Sequence, residues 1–240
     1  MTKLIDKILL SGKYGEKAII FENEGRTNLN QQNYLNALFK PDLSLKTDFS
    51  EFAYFGGFRC AKSFSQQLVV YLLCTLYKHL KTLFVRDTYG QLESSVIKQF
   101  NDEFLPMGNY EYATTKRNAN FDNKSFLSFR TFERDTDILS AEYDVICVCQ
   151  IEDLTVDLFL QLIGRLSGRI LPKPLLLVEG NPSVGWVKAR YKDVSSDELA
   201  KKNIFAITNG KTSDNPFISE EYIIRVRNNS PAWWSARYLD

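Results

Sequence analysis

The sequence predicts an α/β fold: a mainly parallel central sheet flanked by helices, with a β-hairpin inserted into it. Three observations carry that expectation. Short runs rich in aromatic and β-branched residues recur along the chain, segments with a helical repeat lie between them, and no internal repeat or low-complexity tract breaks the alternation.

Taken in order, the strand candidates are FAYFG (52–56), TLFVR (82–86), YDVICVC (143–149), PLLLVEG (174–180) and NIFAITN (203–209). Helical spacing covers 64–80, 90–104 and 155–168, the last opened by Thr155 as a capping residue with Asp157 in its first turn. The rhythm breaks over 110–132, where period-two patches surround an Asn/Asp-rich turn and predict the inserted hairpin. From TSDNPFISEEY to Asp240 the chain reads as a loop, a short helix and an aromatic cluster, PAWWSARY, packing back on the body.

Composition narrows the function classes. With 240 residues, 44% apolar and 13% aromatic, the chain can bury one substantial core. Lys and Arg total 30 against 29 Asp and Glu, so no bulk charge draws it to nucleic acid or anionic lipid, and any DNA contact must come from a local patch. Cys60, Cys74, Cys147 and Cys149 form no CxxC pair, and His79 is the single histidine, which argues against a zinc site and for a reduced, intracellular protein. The N-terminal MTKLIDKILLSGKYGEK has a short apolar cluster without the longer run of a signal peptide, and no stretch has membrane-spanning length. The expectation is a soluble, cytosolic protein without a membrane partner.

Chemistry concentrates in YFGGFRCAKSFSQQLVVYLLC (54–74). A phosphate-binding loop needs small residues whose amides turn inward, a lysine for the β- and γ-phosphates, a hydroxyl for Mg²⁺ and a helix N-terminus beneath. Gly56, Gly57, Lys62, Ser63 and a helix beginning near Lys62 supply these between a strand and a helix. Ala61 stands where such loops usually carry glycine, and the loop is expected to keep its shape if residue 61 avoids positive φ. The plainer reading is a strand–turn–helix with an incidental lysine.

Nucleotide hydrolysis also calls for acids at the end of a neighbouring strand, one for the metal and one to orient water. In YDVICVCQIEDL the two closing positions are Cys149 and Gln150, and the next carboxylates are Glu152 and Asp153. Functionally, Glu152 swings back as the base or a Mg²⁺ ligand while Gln150 positions the water, or the metal is held chiefly by Ser63 and the phosphates. Structurally, the acids only cap a helix.

In order and approximate spacing, YFGGFRCAKS, LFVRDTYGQLESSVIKQF, YDVICVCQIEDLTVDLFLQLIGRLSGR, LLLVEGNPSVGWVKARY and SDNPFISEEYI resemble the large terminase subunit of tailed bacteriophages, from about Leu29 to the C-terminus. That family is the ATPase motor that packs viral DNA into procapsids. The resemblance implies a P-loop NTPase fold of the ASCE/RecA-like kind. One ATPase domain would then span 1–240, with an adenine-side segment over 1–50, the core over 51–210 and a C-terminal loop and helix over 211–240.

By the same resemblance Gly56, Gly57, Phe58, Arg59, Cys60, Ala61, Lys62 and Ser63 form the Walker A loop, with Lys62 on the phosphates and Ser63 on Mg²⁺. Arg59 matches a cis-acting arginine finger. Gln32 matches the glutamine that reads adenine, and Glu179, Gly180, Asn181 and Pro182 match the coupling motif that senses the γ-phosphate. Arg165 and Arg169, at i and i+4, share a helix face if the helix extends that far, and would touch DNA phosphates or a neighbouring subunit. ATP and Mg²⁺ are the implied cofactors. The implied partners are double-stranded DNA, a homo-oligomeric ring on a portal protein and a small terminase subunit, and the place of action is the host cytoplasm.

Two features depart from the family pattern. The Asp-Glu pair is absent, and the chain ends just after SDNPF, before a nuclease domain, so no DNA cleavage is expected of it. The main rival reading keeps the fold as a nucleotide-binding assembly module with little or no hydrolysis. A helicase-like DNA ATPase is another, and a metabolic α/β protein with a chance loop is the plainest.

Overall fold

The computed structural model describes residues 22–23, 26–132, 136–182 and 184–239; the apolar cluster of the first 17 residues lies outside them. Eight strands form the main sheet: β3 (Glu51–Gly56), β4 (Lys81–Arg86), β5 (Tyr110–Ala113), β6 (Asn118–Phe121), β7 (Phe126–Thr131), β8 (Val145–Cys149), β9 (Leu175–Gly180) and β10 (Ile204–Gly210). Their order is β10, β3, β9, β8, β4, β7, β6, β5. Outside it, β1 (Glu22–Asn23) pairs antiparallel with β2 (Arg26–Thr27). All five strands expected from apolar runs are present within one or two residues of their expected ends.

The helices are α1 (Leu29–Leu38), α2 (Lys62–Leu76), α3 (Tyr89–Gln91), α4 (Lys98–Phe104), α5 (Val156–Ile163), α6 (Trp186–Tyr191), α7 (Ser196–Lys201), α8 (Glu220–Asn228) and α9 (Ala232–Tyr238). A π-helical turn, Leu92–Ile97, joins α3 to α4. Among the described residues no helix is long and apolar enough to cross a membrane.

Two compact units divide the chain. The larger part of the sheet lies in the unit made of Ser50–Phe52 and Gln66–Glu179. There β4 pairs in parallel with both β7 and β8, and β8 pairs in parallel with β9 in the register Val145↔Leu175 to Cys149↔Glu179. Every residue of β8 and β9 is buried, as continuous apolar runs require of strands covered on both faces. The stretch over 110–132 contains the expected hairpin as β5 and β6, and its third strand, β7, returns parallel to β4. Rings from these strands and from the helices interlock: Tyr71 stacks on Phe104 at 4.6 Å between centroids, and Phe100 meets Phe129 edge-on at 5.6 Å.

Side chains set the helix ends in this unit. The helix expected over 64–80 stops at Leu76, because Asn123 and Ser125 donate to its last carbonyls, Asn123 Nδ2 to Cys74 at 2.9 Å and to Thr75 at 3.0 Å. Thr155 caps α5 as expected, accepting from Leu158 N–H at 3.3 Å, and Asp157 lies in the first turn.

The helix expected to reach residue 168 ends at Ile163, so Arg165 and Arg169 do not share a helix face. Tertiary bonding wins here. Tyr143 N–H donates to Arg165 O at 2.9 Å, Gly168 N–H donates back to Tyr143 O at 3.0 Å, and a side chain at 168 would collide with Asp144.

The other unit gathers the described residues up to Phe49, Ala53–Ser65 and the described residues from Gly180 onward. Its sheet strands are most of β3, wholly buried, and β10. Asn28 caps α1 by accepting from Gln31 N–H at 3.0 Å, Ser195 and Glu198 form a capping box on α7, and Ser219 caps α8.

Candidate functional site

The first group of candidate residues lies at the end of β3. A Cβ on Gly56 would stand 2.5 Å from the Gly210 carbonyl oxygen and 2.7 Å from Cys60 Sγ, so only glycine lets the strand end run this close to β10. Gly57 N–H then donates to Gly210 O at 2.8 Å and anchors the start of the loop.

From there to the helix, side chains from elsewhere in the unit capture consecutive loop carbonyls. Thr212 Oγ1 donates to Phe58 O at 2.5 Å, and Asn215 Nδ2 to Arg59 O at 2.7 Å. The Cys60 carbonyl accepts from Tyr54 OH at 3.1 Å and Asn28 Nδ2 at 3.3 Å. Burial, then the neighbouring Cys60 and Asp214, raise the Tyr54 phenol well above its usual range and keep it a donor. In a trans peptide the N–H points opposite to its C=O. The amides of Arg59, Cys60 and Ala61 are thereby turned away from these anchors.

Two loop residues have left-handed backbone, Arg59 at φ 57 and Ala61 at φ 73. The expectation that residue 61 avoids positive φ is therefore corrected. The tertiary hydrogen bonds on either side hold alanine in a conformation that costs an L-residue about 1–2 kcal/mol.

At the start of α2, Lys62 is 7% exposed and its ammonium donates to Gly57 O at 3.1 Å, curling back over the loop. Ser63 lies half-buried in the first helical turn. Arg59 places its guanidinium 4.6 Å from the centre of the Tyr222 ring, and Phe58 stacks on Trp234 at 5.5 Å. Gln32 is half-buried on α1, one turn from the cap at Asn28. Asn181 and Pro182, which follow β9, are half-buried.

The remaining candidates belong to the other unit. β8 closes on Cys149, and Gln150 follows at φ 52 in the left-handed region. Gln150 N–H donates to Glu179 Oε1 at 3.3 Å, while Gln150 Oε1 is buried without a hydrogen-bond partner. Glu179 is 2% exposed, and its Oε2 likewise has no hydrogen-bond partner. Buried polar atoms left in this condition, next to strained backbone, mark places where stability has been traded for something else.

Glu152 is half-buried in a short 3₁₀ turn, Ile151–Asp153. Burial raises the Asp153 carboxyl, Arg86 opposes the shift and Asp87 adds to it. Cys147 donates its thiol to Gln66 Oε1 at 2.9 Å; burial, reinforced by Cys149 and by the Glu179 carboxylate, pushes it far up. Both thiols that end β8 are thus protonated and inert at neutral pH, where an aspartate would offer metal-binding oxygen. Among the described residues no group of three or more His, Cys, Asp or Glu side chains could hold a metal ion.

Sequence reasoning singled out the loop, Lys62, Ser63 and Glu179 as candidates. It missed the carbonyl anchors: Thr212 and Asn215 lie 154 and 156 residues from their partners, and Asn28 lies 32 away. The one available signal was the SDNPF segment, whose function no local pattern reveals.

No family model matches the chain, and no curated protein matches it. Solved structures do match in fold. The large terminase from the thermophilic bacteriophage D6E aligns with a TM-score of 0.69 at 16% identity, over 88% of this chain and 51% of that one. The same terminase in complex with ATP-gamma-S aligns with a TM-score of 0.66 at 16% identity, over 80% of this chain and 47% of that one. The large terminase ATPase domain of Thermus phage P74-26 gives a TM-score of 0.60 at 11% identity, covering 81% of this chain and 89% of that one. The bacteriophage Phi-29 genome packaging motor assembly gives 0.51 at 13%, covering 85% and 67%. The chain thus has the α/β P-loop NTPase fold of these domains, and it spans about half the length of the D6E terminase.

Proposed function

We propose that the chain is the ATPase motor domain of a viral large terminase, hydrolysing ATP to drive double-stranded DNA into a procapsid. The observation that carries this reading is the 56–63 loop, in which the carbonyls of residues 58–60 are captured by other parts of the unit so that the amides of Arg59, Cys60 and Ala61 point away from those anchors, next to a helix that begins at Lys62. Its support beyond geometry is the fold shared with terminase ATPase domains, one of them in complex with ATP-gamma-S.

Under this reading the loop amides and Lys62 hold the β- and γ-phosphates, and Lys62 exchanges its bond to Gly57 O for phosphate oxygen. Gln32 reads adenine. Arg59 leaves Tyr222 to offset charge developing on the transferred phosphoryl group. Glu152 takes the proton of the attacking water, Gln150 orients that water through its unpartnered Oε1, and Glu179 with Asn181 senses the γ-phosphate. Mg²⁺ would be held by the Ser63 hydroxyl with Glu152 in reserve, neutralising phosphate charge. An oxygen-only donor set with few protein ligands suits that ion, which keeps most of its shell from water and phosphate. DNA, a ring of subunits on a portal, the small terminase subunit and the host cytoplasm complete the proposal.

A second reading, a nucleotide-binding assembly module with little hydrolysis, is favoured by the inert Cys149 and Gln150 at the end of β8. ATP turnover beside a Lys62→Ala control separates the two. The motor reading expects turnover that the variant loses together with most ATP affinity; wild-type binding without turnover selects the module, and no wild-type binding removes both.

A further inference from the structure

The TSDNPF segment, residues 212–217, is a sequence motif that the proposed reaction leaves without a task. Its residues are not idle in the structure. Asn215 is oriented at both ends of its amide: Oδ1 accepts from Phe217 N–H at 3.0 Å and Nδ2 donates to Arg59 O at 2.7 Å. Thr212, fully buried, donates its hydroxyl to Phe58 O, and its own N–H is fixed by Leu239 O at 3.1 Å. Between them Asp214 Oδ2 accepts from Lys211 N–H at 2.7 Å and from Asn30 Nδ2 at 2.8 Å. That last bond ties the segment to α1, whose capping residue Asn28 holds the next carbonyl, that of Cys60.

The side chains of the same two loop residues are docked against the same part of the chain, Phe58 on Trp234 and Arg59 on Tyr222. With their carbonyls and side chains both engaged, the peptide units 58–59 and 59–60 are held in one orientation. Their N–H groups face the other way.

We infer that Thr212 and Asn215 are positioning residues of the nucleotide site: they set the peptide orientation that gives the loop its anion-binding amides. This rests on the reading of the loop as an ATP site. A loop whose carbonyls were free could flip either peptide unit and present an oxygen to a phosphate, which repels it. Preorganisation spares binding that reorganisation. The structure therefore makes a C-terminal segment, distant in sequence, part of the affinity of the N-terminal loop.

The experiment compares ATP binding by titration calorimetry for wild type, Thr212→Val, Thr212→Ser and Asn215→Asp, each well below its own melting temperature. Thr212→Val keeps the shape and loses the donor; Thr212→Ser keeps the hydroxyl; Asn215→Asp keeps the acceptor for Phe217 N–H and loses the donor to Arg59 O. Expected are Kd values raised about three- to tenfold for Thr212→Val and Asn215→Asp, the free energy of one hydrogen bond, with Thr212→Ser within about twofold of wild type. Melting temperatures of the free proteins give the contrast. A purely structural role lowers the Tm of Thr212→Val and Asn215→Asp while the folded protein binds ATP as wild type does, and that result overturns the inference alone. Failure of wild type to bind ATP overturns the reading of the site and the inference with it.

Discussion

Gln150 and Glu179 meet across the β8–β9 pair, the backbone N–H of the first donating to Oε1 of the second at 3.3 Å. The two residues also carry buried oxygens without hydrogen-bond partners, Gln150 Oε1 and Glu179 Oε2. Glu179 is the buried carboxylate at the end of this strand pair, while β8 itself ends on thiol and amide.

Glutamine replacements at positions 152 and 179 should therefore have different consequences. Glu152→Gln removes the proposed base, and ATP turnover should fall about 10²- to 10⁴-fold with ATP binding retained. Glu179→Gln keeps the acceptor for Gln150 N–H, and its main effect should be an ATP affinity weakened about three- to tenfold relative to ADP. Steady-state turnover and binding of both nucleotides check this. Should Glu179→Gln abolish turnover while Glu152→Gln spares it, the base lies on β9 and the assignment to Glu152 is wrong.

Ala61 and Gly56 should answer oppositely to the exchange of alanine and glycine. Ala61 is held at φ 73, so Ala61→Gly relieves strain and should stabilise the protein by about 1 kcal/mol after the added freedom of the unfolded chain is counted. Gly56→Ala drives a methyl group onto the Gly210 carbonyl, and should cost about 2 kcal/mol or more while displacing the loop. Urea unfolding of both variants is the measurement. Equal stability for Ala61→Gly and wild type would mean that residue 61 does not occupy the left-handed region.

Stability should fall on the alkaline side. Burial pushes the Cys74 thiol up to about 12 and raises Cys147, Cys149 and the phenols of Tyr54, Tyr71, Tyr110 and Tyr112. A raised folded-state pKa means that the native state keeps a proton the unfolded chain gives up. The contribution is whole below the unfolded values, 9.0 for the thiols and 10.0 for the phenols, and is lost as pH climbs from there toward the folded ones. Each fully buried thiol adds a slope of at most about 1.4 kcal/mol per pH unit. Unfolding free energies from urea titrations at about pH 8 and about pH 10.5 should differ by well over the contribution of one thiol. A flat profile would place these groups in contact with water.

Much of this fold could be read from the chain in advance. The alternation of apolar runs and helical repeats located all five expected strands, because strands buried on both faces are built from continuous apolar runs, as β8 is throughout and β9 is up to Glu179. The helix ends were less legible. α2 stops where Asn123 reaches its carbonyls and α5 where Tyr143 takes Arg165 O, and neither partner is near in sequence.

The sequence by itself determined the α/β alternation, the Gly56–Ser63 loop with its lysine and hydroxyl, the cap at Thr155 and the lack of an acid at the end of β8. Those are properties of residue type and short spacing. Only the tertiary structure decided which way the loop peptides face, that Ala61 is held left-handed, that Arg59 lies on Tyr222 and that Glu179 is buried with an oxygen unpartnered. The reason is physical: peptide orientation and side-chain desolvation are set by atoms that chain folding brings together from as far as 156 residues apart, and no local pattern encodes them.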